Sequence, residues 1–182
     1  MARVPYLNPS DLAPENRDLL ARNINLYRAL THSPDATRSF LGLAQYIRHH
    51  SKLDPRLREM AILQVGYVTR SPYEFSHHIK IGRDFGVTDD DIHAIEAETR
   101  GEKTNLTPLE RATLRAAREM TAQPDLSQET FAELQSGLGN QLVVDLLLTI
   151  SVYCGVVRVL AALQIDVEDD YQRYLQEFPL PG

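Results

Sequence analysis

The sequence holds one cysteine, Cys154, among 182 residues, and no tryptophan. One thiol closes no disulfide within the chain, so neither a disulfide framework nor an internal dithiol relay is available. Positive charge is also short: 19 Lys and Arg against 25 Asp and Glu leave a net charge of −6 at pH 7. The basic residues are scattered, without a stripe and without interleaved aromatics, which argues against nucleic acid as a partner. A long unbroken apolar run is missing too. The most apolar stretch, 142–163, is interrupted by Asp145 and Arg158, whereas a membrane span takes about 20 largely uncharged residues. The stretch reads as a buried helix, and no membrane partner is expected. Pro5 and Pro9 break up the apolar residues near the start, where a secretory signal needs an apolar run of about 7–15 residues. The expected compartment is the cytoplasm, with Cys154 reduced.

What is present suits a single helical domain over 1–182. Hydrophobic residues make up 43% of the chain and charged residues 24%, a mixture that can fill one core without staples. Strand-like alternation is scarce, and helix starts are well marked. Ser33-Pro34, Asp54-Pro55 and Ser71-Pro72 each put a capping side chain before a first-turn proline. Thr107-Pro108-Leu109-Glu110 is a capping box, and Thr88 precedes three aspartates that suit the positive end of a helix dipole. These signals predict helices over 14–31, 35–51, 55–70, 72–85, 89–99, 108–121, 128–137, 140–163 and 168–177. The valines of 152–160 would also suit a strand, but continuity with 142–150 favours helix. The fold class is all-α, with 55–70 and 72–85 forming a central antiparallel hairpin.

That hairpin carries the chemistry. Met60 to Val68 is apolar apart from Gln64, and the next helix presents Tyr73, Glu74, Ser76, His77 and His78. Ionisable groups against an apolar helix are where proton affinities shift. Glu74 and His78 are four apart and so share a helix face. Glu59 sits 12 residues before a turn at Ser71 and His78 sits 7 after it, an offset of roughly 7 Å at 1.5 Å per residue, which tilt and side-chain length can partly close.

The run Leu57-Arg58-Glu59-Met60-Ala61-Ile62-Leu63, then Tyr73-Glu74-Phe75 and His78, then Gly86-Val87-Thr88 and Asp91-Ile92, resembles the carboxymuconolactone decarboxylase family, which includes the AhpD-like alkylhydroperoxidases. The segment from Val152-Tyr153 to Leu163 resembles the family's final core helix. The resemblance covers roughly 40–165 and implies an AhpD-like helical domain with an N-terminal helical extension of about 1–40 and a core of about 41–165. The peroxidase branch has a glutamate, two cysteines and a histidine in fixed spacing. Aligning Glu59 and His78 with that glutamate and histidine puts Ser71 and Glu74 at the cysteine positions. A thiolate must attack and a second must resolve, so peroxidase activity of that type is disfavoured. The resemblance then implies a cofactor-free lyase acting on a small carboxylated lactone or related organic acid. His78 would transfer the proton, Glu59 would orient or assist it, and Glu74 would join them. His77, Tyr73, Ser71 and Tyr153 would line the substrate pocket. Trimers or hexamers are implied, in which a neighbouring chain can complete the pocket. Helices 55–70 and 140–163, apolar nearly all round, also favour a homo-oligomer.

Other readings compete. Glu59, Glu74 and His78 would also serve as a hydrogen-bonded network that fixes the hairpin, making the protein a non-catalytic small-molecule-binding oligomer. Glu74 to His77 fits the Glu-x-x-His element of di-iron sites, but such sites take two elements and two further glutamates, so no metal is expected. His49 and His50 suit a helix end. Ser71 is first a helix cap, and Cys154 is first a packing residue, with redox chemistry through an external thiol as the remaining alternative. Arg58 and Lys80 are the cations nearest to hand for a substrate carboxylate.

Overall fold

A computed structural model describes residues 1–181, and they form an all-helical molecule. Two short 3-10 segments, Pro9–Asp11 and Pro14–Leu20, lead into α1 (Asn25–Leu30) and α2 (Pro34–Gln45). The last turn of α2 widens into a π-turn, Tyr46–His50. Then follow α3 (Pro55–Val68), α4 (Pro72–Asp84), α5 (Asp89–Thr99), α6 (Pro108–Ala122), α7 (Gln128–Leu163) and α8 (Asp169–Glu177).

The capping signals place these helices. Asp54, Ser71, Thr88, Thr107 and Ser127 each accept a backbone N–H of the first turn, which satisfies a donor that the helix leaves open. Residues 152–160 are helical, as continuity with 142–150 requires. Three boundaries differ from the sequence reading. The segment 14–31 is not one helix, because Ile24 is extended and so frees the Asn25 N–H to donate to Glu168 at 2.6 Å. The segment 35–51 ends in the π-turn rather than as a regular helix, held by the Ser51 N–H to the Tyr46 carbonyl at 2.9 Å. The pair 128–137 and 140–163 runs nearly end to end, kinked at Gly139, whose φ of 72° only glycine adopts freely.

Helix α3 is the centre: every residue from Leu57 to Tyr67 is buried. On one side it packs with α6 and α7 through Leu57, Ala61, Val65, Ala116, Leu146 and Ile150. On the other it packs with α4, α5 and α8 through Met60, Leu63, Phe75, Ile79 and Ile95. A third apolar group joins α1, Tyr73 and the end of α7. Helix α7 is long and apolar enough to cross a membrane by length and composition. It is nevertheless a core helix, with Leu134, Val143, Leu146, Ile150 and Val157 buried and Val144, Leu148 and Val159 left exposed.

Helices α3 and α4 pass each other in opposite directions after a three-residue link. Arg70 in that link takes φ 51°, and the Ser71 N–H returns to the Gly66 carbonyl at 2.9 Å. Close approach depends on Gly66: a Cβ there would sit 3.1 Å from the Phe75 nitrogen and 3.3 Å from its Cα. Those are backbone atoms and cannot yield alone. Gly66→Val is therefore expected to lower stability by about 1–3 kcal/mol, the usual range for overpacking. Chemical denaturation checks this, and an unchanged midpoint would mean that the two helices slide apart freely.

Candidate functional site

Gly82 lies against Glu59: a Cβ there would sit 3.6 Å from Glu59 Cβ, and 3.1 Å from the Val87 side chain. This register brings Glu59 beside His78 on the neighbouring turn, closing the offset calculated from straight rods. Glu59 Oε2 accepts from His78 Nδ1 at 2.6 Å. On the far side of the ring, Glu74 Oε1 lies 3.0 Å from His78 Nε2. That contact is off the line of the N–H, so it is an ion pair without a hydrogen bond, and this buried oxygen has no other partner among the described residues. Behind Glu59, Arg58 donates its Nε to Oε1 at 2.9 Å. All four side chains are buried.

The row Arg58–Glu59–His78–Glu74 alternates in charge. Burial alone would push the His78 imidazole down, but Glu59 and Glu74 on either side more than offset it and hold His78 up at about 9. Burial pushes Glu59 up, yet His78 and Arg58 keep its carboxyl below the usual range. The ring is thus an imidazolium at neutral pH, with one N–H fixed toward Glu59 and the other nitrogen beside the Glu74 carboxylate.

This row ends at a small cavity of about 40 Å³, room for only a few water-sized groups. Glu74, His77, His78, Tyr73 and Tyr153 line it, together with Arg22, Tyr27, Phe40, Arg48 and Val156. The Tyr153 ring meets the His78 ring edge-on at 5.0 Å. Burial, then the charges of Glu74 and Glu59, pushes its phenol up, so it stays a neutral donor. Glu59 lies behind His78 rather than in the cavity wall. Ser71, expected as a pocket residue, is not in the wall either; it caps α4, accepting the Glu74 N–H.

His77 is buried rather than at the surface. It is stacked between Tyr73 at 4.1 Å and Tyr171 at 3.6 Å, and its Nε2 bonds Glu168 Oε2 at 2.7 Å. Burial presses its pKa down, against the pull of Glu168. Glu168 also accepts the Tyr73 hydroxyl at 3.1 Å and the Asn25 N–H, so the chain after α7 clamps both α4 and α1. Cys154 faces α6, with its Sγ 3.5 Å from Thr121 Oγ1, and is absent from the cavity wall.

Neither cation named from the sequence serves the cavity. Arg58 is bound to Glu59, and Lys80 bonds Asp84 at the surface at 2.8 Å. The cavity arginines are Arg22, before α1, and Arg48, in the π-turn. Asp145 of α7 pins that turn by accepting the Tyr46 hydroxyl at 3.0 Å and the Ser51 hydroxyl at 2.6 Å, and the Arg48 carbonyl accepts Arg58 Nη1 at 3.1 Å. The buried Asp145 in an apolar stretch was the one available signal. No group of His, Cys, Asp and Glu suited to a metal ion occurs among the described residues.

The all-helical core that carries this row has an AhpD-like fold. Solved structures share the fold: an alkylhydroperoxidase AhpD core, peroxidase-related protein from Ralstonia eutropha JMP134 superposes with TM-score 0.79 at 17% identity, over 96% of this chain and 95% of that one. A cysteine-to-alanine variant of the debrominase Bmp8 in complex with 2,3,4-tribromopyrrole gives 0.77 at 20%, over 97% and 99%. A peroxidase-related protein from Silicibacter sp. TM1040 gives 0.74 at 19%, over 93% and 92%. No curated protein matches the chain. Residues 34–119 match the Carboxymuconolactone decarboxylase family. The family resemblance read from the sequence is borne out over that segment, which holds Glu59, Glu74 and His78 and leaves Arg22, Tyr153 and Glu168 outside it.

Proposed function

We propose that the protein is a lyase that decarboxylates a small carboxylated lactone or related organic acid by proton transfer at His78. The carrying observation is the buried Glu59–His78–Glu74 row that opens on the cavity. In the reaction, the bond from carbon to the carboxylate breaks and carbon dioxide leaves. The electron pair stays on carbon and spreads into the adjacent carbonyl, and the carbon then takes the proton from His78 Nε2. No electrons enter or leave, so the balance calls for no thiol pair. Glu74 beside the same nitrogen steadies the imidazolium and can carry the proton to a carbon out of direct reach. Glu59 fixes the tautomer and the ring orientation.

The same row welds α3 to α4, and this favours a purely structural alternative. Carbon dioxide release separates the two. Carboxylated lactones are offered to the protein and to His78→Gln, which has no imidazole. Release by the wild type and its loss in a folded variant supports the lyase. No release from any of them leaves the network as a fastening.

A further inference from the structure

Two cations in the cavity wall take no part in the proton row. Arg22 and Arg48 both line the cavity, and neither has a carboxylate within ion-pair distance among the described residues. Both act through space on other groups of the cavity wall. Arg22 adds to the downward pressure on the His77 pKa, and Arg48 works against the rise of the Tyr153 phenol. The row itself is neutral overall, since Arg58 and His78 balance Glu59 and Glu74. Glu168, which touches the wall, already serves His77, Tyr73 and Asn25, and Asp18, which lines an adjoining pocket with both arginines, is paired with Arg38. Two half-exposed guanidinium groups therefore border a space of about 40 Å³ without a carboxylate in contact among the described residues. Here the π-turn, tied to Asp145 and Arg58, holds Arg48 in place.

We propose that Arg22 and Arg48 receive the carboxylate of the ligand, so that this cavity takes small organic carboxylates. The planar fork of a guanidinium matches a carboxylate in two parallel bonds. The rest of the ligand then lies against Phe40 and Val156, which also form a wall of a larger apolar groove of about 370 Å³ between α2 and α7. That such a carboxylate is also a substrate rests on the lyase reading; that it binds does not.

The test uses the whole chain and four probes: propionate and benzoate, with propionamide and benzamide as neutral matches. Isothermal titration at low salt is expected to show at least one carboxylate binding and neither amide. Arg22→Gln and Arg48→Gln each weaken that binding at least tenfold. Arg22→Lys and Arg48→Lys keep the charge and guard against misfolding; they bind at an intermediate level. Absence of binding by both carboxylates, equal binding of the amides, or unchanged binding in the arginine variants overturns the proposal. Carboxylate binding that depends on the arginines, with no carbon dioxide released from any lactone, upholds this site and rejects the lyase.

Discussion

Glu59→Ala is expected to destabilise the protein by about 3–5 kcal/mol, the range for removing one partner of a buried ion pair. The magnitude follows from what is left behind. Arg58 and His78 are both buried, and Glu59 is the carboxylate that each touches on α3. Neither can turn to water without opening the contact between α3 and α4. At this chain length the loss corresponds to roughly 6–20 °C in Tm. In urea the midpoint falls while the slope stays, because the surface exposed on unfolding is unchanged. The pH dependence gives a second reading of the same interaction. His78 is raised to about 9 in the fold from about 6.5 when unfolded. A raised basic group stabilises while it is protonated. Its contribution, about 3 kcal/mol from the size of the shift, is complete below about pH 6.5 and is lost as pH rises to about 9. Glu59→Ala should flatten that decline, since only Glu74 remains to hold the proton. A loss below 1 kcal/mol, with the decline intact, would show that the row does not carry the charge assigned to it.

Under the proposed reaction, His78→Gln lowers turnover by about 10²–10⁴-fold, the usual contribution of a positioned proton donor. Glutamine keeps a polar side chain of similar size but supplies no acidic proton. The reaction needs the imidazolium, so the wild-type rate should be flat through neutral pH and fall as pH rises through about 9. Glu59→Gln weakens the hold on that proton and should move the falling limb toward the ordinary histidine range. A falling limb that stays in place in Glu59→Gln would assign the proton to another group.

Much of this arrangement could be read from the residues. The capping side chains at Asp54, Ser71, Thr88 and Thr107 mark helix starts because they satisfy donors locally, and local signals survive in any tertiary setting. Glu74 and His78 share a face by helical spacing alone. Glu59 could be joined to them because two helices linked by three residues have little choice of partner. Arg22 and Glu168 were out of reach for the opposite reason. Glu168 meets His77 across 91 positions of chain, and nothing near either residue encodes the meeting. Arg48 carries no signal of its own inside the helix expected over 35–51. The wider turn that redirects it is held by Asp145, 94 positions beyond Ser51. Arg58 is named for a substrate carboxylate because helical phase alone does not show that the adjacent Glu59 holds it.

The space at the end of the row is closed by Arg22, Tyr27 and Phe40, which belong to the first forty residues. A carboxylated lactone is larger than this space, so under the proposed reaction that arm would have to lift to admit it. Turnover would then be limited by the arm's opening. Thickening the solvent with glycerol should slow steady-state turnover more than a single bound turnover, and amide exchange over 22–44 should slow once a ligand is trapped beneath.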